Sequence, residues 1–119
     1  MHARTDLIFC YGSSELDEFE AKSRGYLSHV LVSVDGVNLY PVIFYDYVRL
    51  GQDLEDMARR GKPFIADPGL IVVAEITFEI LFDVVEDLAG SGYFDHIVST
   101  TMEDALNAGA QWPPSLKVE

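Results

Sequence analysis

The chain has 119 residues, 49% of them apolar and 12% aromatic, which suits one domain (1–119) with its own core and excludes intrinsic disorder. Twenty acids against eight bases leave a net charge of -12, which excludes a nucleic-acid binder, because affinity for phosphate backbones comes from Lys and Arg. The single cysteine, Cys10, has no partner for an internal disulfide. The start, Met1 to Asp6, lacks a signal peptide's apolar stretch, and no uncharged run approaches the roughly 20 residues of a membrane span, so a cytoplasmic protein is expected.

Asp6 to Tyr11 is an apolar run stopped by Gly12 and predicts a first strand. Ser13 and Ser14 can cap a short helix beginning at Glu15, whose acids suit a helix N-terminus, and Gly25 ends it. Two β-rich runs then flank Asp35-Gly36, a dipeptide suited to a two-residue hairpin turn, so a hairpin is expected over about 26–45. Pairing Val34 with Val37 puts Val30, Val32, Val34, Val37, Leu39 and Ile43 on one face, the expected core face. The second face carries Leu31, Tyr40, Val42 and Phe44 and calls for a helix or a partner chain as cover. Pro41 has no N–H for a ladder, which predicts an edge or a bulge there.

From Asp46 the spacing becomes helical. Tyr47, Leu50, Leu54, Met57 and Ala58 form a stripe, and Gly61 and Pro63 close a helix over about 47–60. Its three acids, Asp53, Glu55 and Asp56, each have an arginine four residues away among Arg49, Arg59 and Arg60, so this helix neutralises itself. Leu70 to Ala74 reads as a strand buried on both faces. Thr77 caps a second main helix over about 77–89, with Ile76 and Leu81 at the spacing of a hydrophobic staple. Tyr93 to Val98 reads as a last strand, Thr100 and Glu103 as the start of a short helix to Asn107, and 109–119, with Trp112 and two prolines, as an extended tail. The order predicts an α+β fold: a single mixed or mainly antiparallel sheet of about five strands, with the helices on one face.

No catalytic signature is present. A nucleophilic Cys10 with His29 or His96 as base is the sharpest enzymatic possibility, but a strand cysteine packs as a small hydrophobe. The histidines lack zinc-site spacing, and Gly12 and Gly69 stand outside any phosphate-binding run, so no catalytic residue, metal or cofactor is expected.

The charge is uneven. Residues 1–60 hold ten acids and six bases, residues 61–119 ten acids and two bases. Glu79, Asp83, Glu86 and Asp87 lie opposite the apolar stripe of the second main helix with no base beside them, and Asp83 neighbours the other three at helical spacing. Such a ridge suits a basic protein partner. Glu15, Asp17, Glu18 and Glu20 form a second acidic cluster.

In the hairpin Val30 to Tyr45, the segment Asp67 to Val73 and the acidic helix after Thr77, the chain resembles the immunity proteins of bacterial toxin systems. The resemblance implies a non-enzymatic inhibitor that binds a cognate toxin, often a basic nuclease, and occludes its active surface. Glu79, Asp83, Glu86 and Asp87 would make the contact, with Tyr40 and Phe44, beside Tyr45 and Tyr47, as aromatic anchors. Two alternatives stand beside it: a homodimeric structural or regulatory module joined through Leu31, Tyr40, Val42 and Phe44, and a small hydrolase using Cys10. Neither nucleic acid nor membrane is an expected partner.

Overall fold

The computed structural model describes residues 5–10, 12–34, 36 and 38–100. Four strands, β1 (Asp6–Phe9), β2 (Tyr26–Ser33), β3 (Leu39–Asp46) and β4 (Leu70–Val73), form one mixed sheet in sequential order. The pairs β1–β2 and β2–β3 are antiparallel and β3–β4 is parallel. A parallel pair needs a crossover, and α2 (Tyr47–Arg59) supplies it. The other helices are α1 (Glu15–Arg24) and α3 (Phe78–Gly90). The fold is α+β, with four strands among the described residues where about five were expected.

The missing strand is Tyr93 to Val98, of which Tyr93–His96 is a short 3-10 helix. Its apolar residues Tyr93, Phe94 and Ile97 pack together against the core, and buried Phe94 meets the Tyr40 ring at 5.2 Å. That spacing serves one side of a turn rather than one face of a strand. The expected helix after Thr100 and the tail 109–119 lie outside the described residues. Thr100 itself makes a two-way backbone bridge to Leu39, at 2.8 and 2.7 Å.

The hairpin differs from expectation by one residue. At its base Tyr26 faces Tyr45 and Leu27 faces Phe44, which is the expected register. Beyond a bulge between Leu27 and Val30 the pairs are Val30 with Val42, Val32 with Tyr40 and Ser33 with Leu39, a register shifted by one from the expected pairing; Asp35 and Val37 of the expected turn lie outside the described residues. His29 at the bulge takes a φ of 61°, the left-handed region that extra bulge residues use. Because side chains alternate with period two, this one residue reassigns the faces. Val42, Phe44 and the half-buried Tyr40 join Val30 and Val32 in the core, whereas Leu39 moves to the other face with Leu31. Leu31, Val42 and Phe44 are all buried, so the expected dimer surface on the hairpin is not a surface.

Leu7, Phe9, Val30, Val32, Val42, Phe44, Ile71 and Val73 from all four strands meet Ala21 of α1 and Leu81 and Val85 of α3. On the opposite face Ile8, Cys10, Leu31 and Leu39 form a smaller buried cluster. Tyr45, also on that face, donates a 2.9 Å hydrogen bond to Asp53 of α2. The helices therefore lie on both sides of the sheet, α1 and α3 on one and α2 on the other, which corrects the expected one-sided cover. β4 is an edge strand with alternating burial, and Val72 is half exposed, not buried. Pro41 sits in an inner strand at a point where β4 has not begun: Ile43 N–H donates to Gly69 at 3.0 Å, and Pro41, two residues earlier, would point its missing N–H past the end of β4. Gly69 holds a φ of +86°, and a Cβ there would strike the Pro41 carbonyl oxygen.

Candidate functional site

The acidic clusters of α1 and α3 share one side of the sheet. In α1, Ser14 is the N-cap: its hydroxyl accepts from Asp17 N–H at 3.1 Å, while the Asp17 carboxylate accepts from Ser14 N–H at 2.9 Å. The Ser14 hydroxyl, which donates to the same carboxylate at 2.7 Å, and then the Ser14 N–H hold the Asp17 carboxyl below its ordinary range. Gly25, at φ 79°, closes the helix by donating to Ala21 O. The Glu18 carboxylate reaches α3 and accepts Phe78 N–H at 2.6 Å, an anion on the positive end of that helix. Lys22 pairs with Glu75 at 2.7 Å just before it. Of the four acids in α1, two are therefore committed to helix ends, and Glu15 and Glu20 remain exposed.

In α3, Thr77 caps the first turn by accepting from Ile80 N–H, and Ile76 and Leu81 are both fully buried, as the staple requires. Burial of Leu81 and Val85 turns Glu79, Asp83, Glu86 and Asp87 to solvent. None of the four forms an ion pair or hydrogen bond through its side chain among the described residues. In α2, by contrast, Asp53 pairs with Arg49 at 2.9 Å and Asp56 with Arg60 at 3.1 Å and Arg59 at 3.4 Å.

The apolar residues on this side are not those expected. Phe44 is fully buried and Tyr40 packs on Phe94, so neither projects as an anchor; the bulge in β2 turned both inward. Leu16 and Phe19 of α1 are instead 64% and 66% exposed. Ala21 is the only buried residue of α1, and Leu16 and Phe19 lie about 140° and 160° round the helix from it. Phe82, 41% exposed, stands on α3 between Glu79 and Glu86 and meets Phe9 edge to face, and Phe9 also stacks on Phe78 at 4.5 Å. The signal for Leu16 and Phe19 was present in the sequence: they share one face of a helix whose other face offers only the small Ala21.

Cys10 and His29 do come together, through the backbone. Cys10 N–H donates to His29 O at 3.0 Å, beside a cavity of about 410 Å³ also lined by Asp17, Arg24 and Ser28. The His29 Nδ1 is 2.8 Å from Ser28 Oγ. The Cys10 thiol is buried and burial pushes its pKa up, the reverse of what activates a nucleophile. His96 belongs to the 3-10 helix rather than to a strand. Among the described residues no group of three His, Cys, Asp or Glu side chains is placed to hold a metal ion, and no helix is long and apolar enough to cross a membrane.

No protein-family model, curated protein or solved structure matches this chain.

Proposed function

We propose that this chain is an immunity-type protein: a non-enzymatic acidic binder that neutralises a basic bacterial toxin in the cytoplasm by covering its substrate-binding surface. The observation that carries the proposal is the ridge Glu79, Asp83, Glu86 and Asp87, exposed and without a basic neighbour among the described residues. A ridge of one sign costs helix stability, because each like-charged neighbour at helical spacing opposes folding by about 0.2–0.5 kcal/mol. A solvated face needs no such arrangement, as the self-neutralised α2 demonstrates. Electrostatic attraction speeds encounter with a basic partner, and Leu16, Phe19 and Phe82 are the residues that can be desolvated in the final contact. No bond is made or broken in this mechanism.

The test is co-expression with each basic secreted protein encoded in this gene's neighbourhood, scored as growth. The wild type rescues. Changing Glu79, Asp83, Glu86 and Asp87 to their amides together with Phe19→Asp weakens rescue at least tenfold in the toxin dose tolerated. Full rescue by that variant removes this surface from the mechanism, and no rescue by the wild type removes the immunity function.

A further inference from the structure

α2 is amphipathic in sequence, yet none of its residues is buried. Polar ties hold it to the sheet. The Tyr45 hydroxyl donates to Asp53, Arg49 pairs with the same carboxylate, and the Arg49 guanidinium lies 4.6 Å from the centre of the Tyr26 ring. The apolar stripe of α2 is covered only in part: Leu50 and Met57 are half-buried, and Tyr47 lies open. Leu54 is exposed, and beyond the helix Phe64 is 61% exposed, while Val72 on the edge strand is 50% exposed. These residues are continuous: Val72 pairs with Tyr45, and Tyr45, Met57, Phe64 and Ile65 line one open cavity of about 550 Å³. Leu54 lies one helical turn before Met57. Exposed apolar surface grouped in this way marks an interaction site.

We propose that this face joins two copies of the chain about a two-fold axis, each copy placing Phe64 in the other's cavity. A two-fold contact requires one patch to complement itself, and this one sets a projecting aromatic beside an open cavity lined by apolar side chains and by Asp53, Asp56, Lys62 and Asp67, charges of both signs. Charge selects a second copy over a basic protein. Residues 47–67, which include Asp67 of the cavity lining, carry four of the chain's eight bases, Arg49, Arg59, Arg60 and Lys62, against four acids, for a local charge of 0. The rest of the chain, with sixteen acids and four bases, stands at -12. Two copies repel least where they meet here, and a basic partner is not drawn to this face. Because α2 lies on the opposite side of the sheet from α1 and α3, the dimer leaves both acidic ridges open.

Sedimentation equilibrium of the full chain, at loading concentrations up to about 200 μM, should give twice 13.3 kDa. The dimer should persist or tighten at about 1 M NaCl, since salt screens repulsion and leaves apolar contact. Phe64→Glu and Val72→Lys should each weaken association at least tenfold with an unchanged circular dichroism spectrum, because both side chains are exposed in the monomer. Glu79→Gln, on the other side of the sheet, should leave the dimer intact. A wild type that stays monomeric across this range overturns the proposal and leaves the face to a different protein. A dimer that survives both Phe64→Glu and Val72→Lys overturns it as well.

Discussion

Glu15, Asp17, Glu18 and Glu20 look interchangeable in sequence, but position gives each a different duty. Asp17 closes the capping box of α1, Glu18 caps α3, and Glu15 and Glu20 face solvent. The same holds for the aromatic residues of β3. Phe44 is core, and Phe44→Ala should cost about 3–5 kcal/mol in urea denaturation; a surface anchor would leave stability unchanged. Tyr45 has a different signature. Burial, then the hydrogen bond to Asp53, raises its pKa to about 12, against about 10 in an unfolded chain. The unfolded state thus loses this proton first. The stabilisation is complete below pH 10 and is lost as pH rises toward 12. Tyr45→Phe should cost roughly 0.5–1.5 kcal/mol at neutral pH. It should also flatten the fall in stability between about pH 10 and 12, followed by denaturant melts across that range.

Among the elements, α2 and α3 present opposite solutions to surface charge. Asp53 and Asp56 in α2 are paired with arginines at helical spacing. α3 has no base in its last turn and sets Asp83 beside Glu79, Glu86 and Asp87. Asp83→Lys turns three repulsive neighbours into attractive ones and should stabilise the protein by about 1–2 kcal/mol in thermal melts. The same substitution should slow association with a basic partner. A variant that is more stable and binds worse would locate the cost of the ridge in function. If Asp83→Lys leaves stability unaltered, the four acids are too well solvated to repel one another.

At the scale of the molecule, charge is divided unevenly by the sheet. One side carries α1, α3 and the acidic ridge, and the other carries α2 and the residues just after it, with half of the chain's bases, while exposed apolar residues lie on both. The overall balance of -12 still works against compaction. Raising NaCl from about 10 to 150 mM, which shortens the screening length from roughly 30 to 8 Å, should therefore raise the melting temperature by several degrees. A fall would mean that the ion pairs, such as Lys22 with Glu75 and Arg49 with Asp53, outweigh the excess of like charge.

The sequence by itself determined the features whose causes lie within a few residues. Ser14 and Thr77 mark helix starts and Gly25 a helix end because capping bonds span only three or four positions. The pairs Arg49 with Asp53 and Asp56 with Arg60 in α2, and the unpaired acids of α3, follow from helical spacing in the same way, whereas Arg59 pairs with Asp56 and not with the expected Glu55. The α+β class was legible from the order of these elements. Only the tertiary structure decided which faces are buried. A strand's faces depend on parity, and the bulge at Ser28 and His29 inverts that parity for the rest of β2, moving Tyr40 and Phe44 into the main core and Leu39 into the buried cluster on the opposite face. The side of the sheet taken by α2, and the exposure of Phe64, were likewise beyond local reasoning. They depend on which apolar residues run out of neighbours once the core has closed around Phe44, Ile76, Leu81 and Val85.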